Sequence, residues 1–207
     1  SLLNVATACR VAGKHVEAYQ FYMEVFPLYE KWLEPGDWHF ASLYNNMSLL
    51  FQETGEYERA AECQGKALAV LDAIEGRKFE GAVTHANLAT TLCKIAEQEG
   101  SSDIAVQAAE ESMIAMRIFE QLGVEDVHSA AALAGYGDAM MLLEEYEKAV
   151  QSYTEALHRI ERLVGRTESY ERVAEKLEYA KTFTRMSGLA LSRAYFEQVG
   201  KPMLTSK

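Results

Sequence analysis

Apolar residues recur along the chain at spacings of three and four, as in Ala60, Ala61, Ala67, Leu68 and Leu71, and no segment sustains a period-two alternation. The pattern predicts about ten helices and no sheet. Pro27, Pro35 and Pro202 are the only prolines, so the long stretch between the last two contains no obligate helix breaker. Glycines punctuate the helices: Gly36, Gly76, Gly123 and Gly165 each follow an amphipathic run, where a left-handed C-cap is expected. Their separations are 40, 47 and 42 residues, a period typical of helical solenoids. A second break splits each period into a helix pair: Ala12-Gly13-Lys14, Thr54-Gly55-Glu56, Gln98 to Ser102, and Leu143-Glu144-Glu145, which has no glycine. The units are then about 1-36, 37-76, 77-123 and 124-165.

Aligned on these breaks, the units share small and bulky residues in register. The fourth shows it best, with Leu133, Tyr136, Gly137 and Met140 on its first helix and Tyr146, Ala149, Tyr153 and Ala156 on its second. The second unit has Tyr44, Met47, Ser48 and Phe51, then Gly55, Tyr57, Ala60 and Ala67, with Gln64 in place of the aromatic. Small residues are needed where helices approach closely, and bulky ones fill the gaps between them. From Ser1 to Gly165 the pattern resembles the tetratricopeptide repeat family, most of all its long-period, kinesin light chain-like branch. Leu33 to Ser48 is similar to that branch's inter-repeat loop and Leu-Asn-Asn-Leu-Ala segment, and Ala86-Asn87-Leu88-Ala89 repeats the similarity one unit later. The resemblance implies an all-α, right-handed superhelical solenoid of antiparallel helix pairs, whose first helices line a concave groove that grips peptides or partner helices.

Three of the four asparagines, Asn4, Asn46 and Asn87, occupy the same position of successive repeats, and Asn45 adjoins one of them. Asparagine costs roughly half a kcal/mol relative to alanine inside a helix, so something should offset three such placements. Two compatible roles are open. The amides could form a ladder that matches the peptide units of an extended ligand, or they could bond neighbouring helices and hold the superhelix together. The family register implies further groove positions at Thr7, Arg10, Ser42, Leu49, Gln52, Glu53, Val83, Thr90, Lys94, Ala131, Ala134, Asp138 and Met141. Arg10 and Lys94 are isolated, so the paired basic residues of a carboxylate clamp are missing, and an internal segment or helix is the expected ligand. Trp32 and Trp38 flank the first inter-repeat loop, either to anchor a partner or to staple the loop to the helix ends.

Charge narrows the choice of partner. The chain has 207 residues, with 31 acidic and 20 basic side chains and a formal charge of -11. Such an excess repels phosphate, which disfavours nucleic acid and anionic membranes. The longest nearly apolar stretch, Ala130 to Leu143, contains Asp138 and falls short of the ~18 residues expected of a bilayer span. Cys9, Cys63 and Cys93 are odd in number and far apart, which argues for free thiols and a reducing cytoplasm rather than disulfides or zinc. The Ser1-Leu2-Leu3-Asn4 start lacks a signal segment, so export is not expected, and both chain ends have the look of cuts.

No catalytic, metal or cofactor constellation is visible. His15, His39, His85, His128 and His158 are scattered without metal-binding spacing, and Gly135-Tyr136-Gly137 lies inside a helix rather than after a strand. The acidic pairs Glu110-Glu111 and Glu144-Glu145 read as solvated faces. The chain is therefore read as a non-enzymatic scaffold.

Residues 166-207 form the cap and depart from the repeat pattern. Ser169 to Arg185 reads as an amphipathic helix with apolar Val173, Leu177, Ala180 and Phe183, and helix from Gly188 to Val199 either continues it or forms a second element. Residues 158-207 carry +4 while the rest carry -15, so the basic tail is expected to dock on an acidic surface, in the same molecule or a second copy. Gly188 to Leu204 resembles the lead-in helix of bacterial proteins in which such repeats precede a nucleotidyltransferase-like domain. That resemblance implies an alternative: a regulatory or substrate-presenting arm of a larger enzyme.

Overall fold

The computed structural model describes the backbone of residues 1-199 and the side chains of residues 1-187. Among the described residues there are nine helices and no strand: α1 (Leu2–Val11), α2 (His15–Trp32), α3 (Trp38–Glu53), α4 (Tyr57–Leu71), α5 (Lys78–Glu99), α6 (Ser102–Leu122), α7 (Val127–Leu142), α8 (Tyr146–Val164) and α9 (Glu168–Val199). The first eight form four antiparallel pairs, each stacked on the next, and α9 packs on α8. The result is the expected all-α, right-handed solenoid. None of the described helices is long and apolar enough to cross a membrane.

Two boundaries differ from expectation. Gly123 and Gly165 do close α6 and α8, but α2 and α4 end earlier, at Trp32 and Leu71, and Gly36 and Gly76 lie in the loops beyond. Pro35 accounts for the first case, since it disfavours helix at Glu34. The cap is a single helix of 32 residues with Gly188 inside it, which makes nine helices rather than ten. One interior glycine costs about 1 kcal/mol relative to alanine, too little to interrupt a helix of this length by itself. The remaining residues of the lead-in resemblance, Lys201 to Leu204, lie outside the described residues.

Local chemistry sets the other helix starts. Asp37 caps α3 by accepting from the His39 amide at 2.9 Å, and Asp126 and Ser129 form a reciprocal capping box at α7. Trp38 stacks on His39 at 3.9 Å and lies beneath the Arg77 guanidinium at 4.3 Å, so it staples the loop, whereas Trp32 is 74% exposed.

The core rests on a small residue followed, four positions later on each second helix, by a buried one. Ala18, Ala60, Ala108 and Ala149 are fully buried, and Tyr22, Gln64, Ser112 and Tyr153 follow them. In the first and fourth repeats the tyrosine crosses to the partner helix: Tyr22 Oη lies 3.5 Å from Thr7 Oγ1, and Tyr153 donates to Asp138 Oδ1 at 2.7 Å. Gln64 and Ser112 are shorter, and their buried polar atoms have no partner among the described residues. Gly137 is required beneath Tyr153, because a Cβ there would sit 2.6 Å from the ring.

Gly137→Ala should therefore lower stability by about 1–3 kcal/mol, the usual effect of overpacking a rigid core, with a matching shift of the urea midpoint. Gly135→Ala, whose Cβ would meet the Ser112 hydroxyl at 3.3 Å and the Thr90 hydroxyl at 3.8 Å, should cost less. Equal midpoints for Gly137→Ala and the parent would remove the ring from that seat.

Candidate functional site

The side formed by α1, α3, α5 and α7 divides its polar residues between two jobs. One set joins successive repeats. Thr7 donates to Asn46 Oδ1 at 3.2 Å, Asn45 Nδ2 donates to Thr84 Oγ1 at 2.9 Å, and Gln52 Nε2 donates to Thr91 Oγ1 at 2.6 Å. All three bonds span 39 residues, one repeat. Thr84 and Thr91 are buried, so Asn45 Nδ2 and Gln52 Nε2 have bonded partners in place of the water they displace, while Asn45 Oδ1 is buried without one among the described residues. Arg10 pairs with Glu53 across the same seam. Asn46 also donates to the Ser42 carbonyl at 2.8 Å, which satisfies both ends of its amide locally.

The second set faces two cavities. Near the N-terminus, Asn4, Thr7, Ser42 and Asn46 line a cleft of about 650 Å³. Toward the other end, Thr90, Lys94 and Asp138 line a cavity of about 550 Å³ together with Cys93, Glu97, Glu144, Tyr146, Lys176, Tyr179 and Phe183. Asn87 and Leu49 are half-buried on α5 and α3, outside both cavities. The proposed groove residues therefore separate into Asn4 on the first cleft and Thr90, Lys94 and Asp138 on the second cavity, while Asn45 and Gln52 serve the seam and Asn46 borders the first cleft with its amide already bonded to Thr7 and Ser42.

Asp138 is the electrostatic centre of the second cavity. It accepts from Tyr153 and binds the Lys176 ammonium through both oxygens, at 2.8 and 2.6 Å. Burial, followed by the nearby Asp138 charge and their hydrogen bond, pushes the Tyr153 phenol well above its ordinary value. Burial first, and Asp138 second, push the Cys93 thiol up to about 12. Lys176 also ties α9 to α7 in the same molecule through this ion pair.

Several of these residues escape a reading of the sequence. Glu144 stands where the first two repeats have Gly13 and Gly55, and it adopts their left-handed backbone, with φ 60 against 72 and 78. That conformation costs a residue with a Cβ about 1–2 kcal/mol. Lys176, Tyr179 and Phe183 reach the cavity from α9, whose Val173, Leu177 and Ala180 face is buried. Their spacing of three and four was the available signal, but Phe183 reads as core, whereas it stacks on Tyr146 at 4.9 Å on the cavity wall. Among the described residues no group of three or more His, Cys, Asp or Glu is placed to hold a metal ion.

No family model matches the sequence, and no curated protein matches it. Solved structures do. BtubC (BKLC) from P. vanneervenii superposes with a TM-score of 0.69 at 17% identity, over 98% of this chain and 82% of that one. The nearly identical TPR-like repeats of a Podosopora anserina kinesin light chain protein superpose with a TM-score of 0.69 at 14% identity, over 100% and 96%. The apo form of RapI gives 0.70 at 17% identity over 95% of this chain, which spans about half of that structure, 51%. At these identities the likeness is one of fold. The chain has the architecture of tetratricopeptide-like helical repeats, with kinesin light chain-like proteins among its structural neighbours.

The raised thiol sets one expectation. The folded chain favours the neutral Cys93 thiol, so its contribution to stability is complete below the ordinary value of 9.0 and is lost as pH rises from there toward about 12. At pH 8 half-buried Cys9 should react first with a thiol reagent, and Cys93 only after unfolding in denaturant. Rapid modification of Cys93 in the folded chain would contradict this burial. Asp138→Ala, which strands Tyr153 and Lys176, should cost about 1–3 kcal/mol in urea unfolding. No loss would show that the three groups do not interact.

Proposed function

We propose that the chain is a non-enzymatic protein-interaction scaffold that holds an extended or helical segment of a partner along its first-helix side. The observation that carries this reading is the division of amides. Asn45, Asn46 and Gln52 are engaged within the solenoid, whereas exposed Asn4 and half-buried Asn87, at the repeat position of Asn46, are not drawn into bonds between repeats among the described residues. Each offers a donor and an acceptor, the chemistry of a peptide unit. Cavities of about 650 and 550 Å³ toward the two ends give room for side-chain anchors. The architecture shared with TPR-like neighbours supports the same reading.

A short-peptide display library panned against the full chain tests it. Enriched peptides should bind, and the double substitution Asn4→Ala/Asn87→Ala should weaken them about three- to tenfold for each hydrogen bond lost, with the helical circular dichroism unchanged. Glu110→Ala, on the exposed face of a second helix, should have no effect. Failure to enrich any peptide, or equal affinity for the double variant, would overturn the groove assignment.

A further inference from the structure

The C-terminal cavity has an uneven balance of charge. Five charged side chains line it, and four are paired within the molecule: Lys94 with Glu97 at 2.9 Å, and Asp138 with Lys176 at 2.6 Å. Among the described residues Glu144 is the one lining charge outside an ion pair, and it leaves the lining with a net charge of -1. Beside Tyr153, whose hydroxyl is taken by Asp138, three further rings line the same cavity. Phe183 stacks on Tyr146 at 4.9 Å with 22° between planes, and Tyr179 meets Phe183 edge-on at 5.0 Å and 73°. Tyr179 is 61% exposed, so the ring cluster opens to solvent rather than belonging to the core.

A carboxylate beside exposed aromatic faces is the chemistry that holds a cation, through ion pairing on one side and ring quadrupoles on the other. The chain already uses that set elsewhere. Arg59 pairs with Glu56 at the start of α4 while its guanidinium lies 4.0 Å over the Phe51 ring and 5.6 Å from Tyr19. In the fourth repeat the residue equivalent to Glu56 is Glu145, which pairs with Lys148 at 3.3 Å, and Glu144, one position earlier where the second repeat has Gly55, lines the cavity with Tyr146 and Phe183. Among the described residues no cation lies over Tyr146, Tyr179 or Phe183.

We propose that this cavity receives an arginine side chain from a protein or peptide partner, with Glu144 as its counter-ion and Tyr146, Tyr179 and Phe183 as its stacking faces. Arginine fits better than lysine because a planar guanidinium both stacks on a ring and pairs with a carboxylate. The proposal deepens the groove reading by naming the partner chemistry at one end, and it rests on that reading for the rest of the ligand. It also gives the strained left-handed Glu144 a use, since glycine would relieve the backbone there and remove the charge.

Titration of the full chain with N-acetyl-arginine amide, followed through the ring NMR signals of Tyr146, Tyr179 and Phe183, tests it. Saturable shifts of these signals are expected, with the neutral isostere N-acetyl-citrulline amide producing none. Glu144→Gln should weaken arginine about threefold or more, and exposed Tyr179→Ala should do the same. Glu144→Gly should unfold at higher denaturant concentration yet lose the arginine response, which separates binding from folding. Equal shifts with citrulline, absent shifts, or a Glu144→Gln variant that binds like the parent would overturn the proposal. Glu110→Ala, on the exposed face of α6, should leave binding of the small amide unchanged. Peptides that bind through the asparagines without any basic residue would sink the arginine site alone. Arginine binding without any selected peptide would sink the groove alone.

Discussion

Tyr153 lies against Gly137 because that position carries no Cβ, and the ring in turn brings its hydroxyl to Asp138 on the opposite helix. Close approach at small residues is the constraint from which the rest follows. The fully buried alanines of the second helices let each pair draw together, and the residue four positions later decides what crosses the gap. Tyrosine does so in the outer repeats. Gln64 and Ser112 occupy the same place in the inner ones, where burial without a partner makes the polar group a cost rather than a gain.

Between repeats the cohesion is of another kind. Asn45 and Gln52 reach buried threonines one repeat away, and Thr7 does the same toward Asn46. These bonds repeat at one spacing because the solenoid repeats, so the polar seam reports the superhelical geometry as faithfully as the apolar core does. They also limit which side chains remain for a ligand. An amide that has satisfied its donor within the fold has less to offer a peptide.

The cap does more than cover the last apolar face. Val173, Leu177 and Ala180 bury one side of α9, and the neighbouring side carries Lys176, Tyr179 and Phe183 into the cavity bounded by α5 and α7. A tail with a net positive charge in sequence thus docks by an ion pair to Asp138 in the same molecule. The cavity is consequently built from three repeat helices, a turn and the cap.

The periodicity of small and bulky residues determined by itself that the chain is all helix, that it forms four pairs, and where most turns fall. Those properties are local, set by which residues can share a helix face and which can leave it. The tertiary structure decided whether Asn45 and Gln52 join helices or face a ligand, because that depends on the distance between α3 and α5 and on what lies buried there. It decided that α9 is one helix through Gly188, since the cost of a single interior glycine is small against the hydrogen bonds of a long helix. It also brought Tyr179 and Phe183 of α9 to the cavity that Glu144 and Tyr146 line, a meeting that depends on the packing of α9 against α8. The acidic pair Glu144-Glu145 is exposed, as its sequence suggests, and the tertiary structure adds that Glu144 borders a cavity.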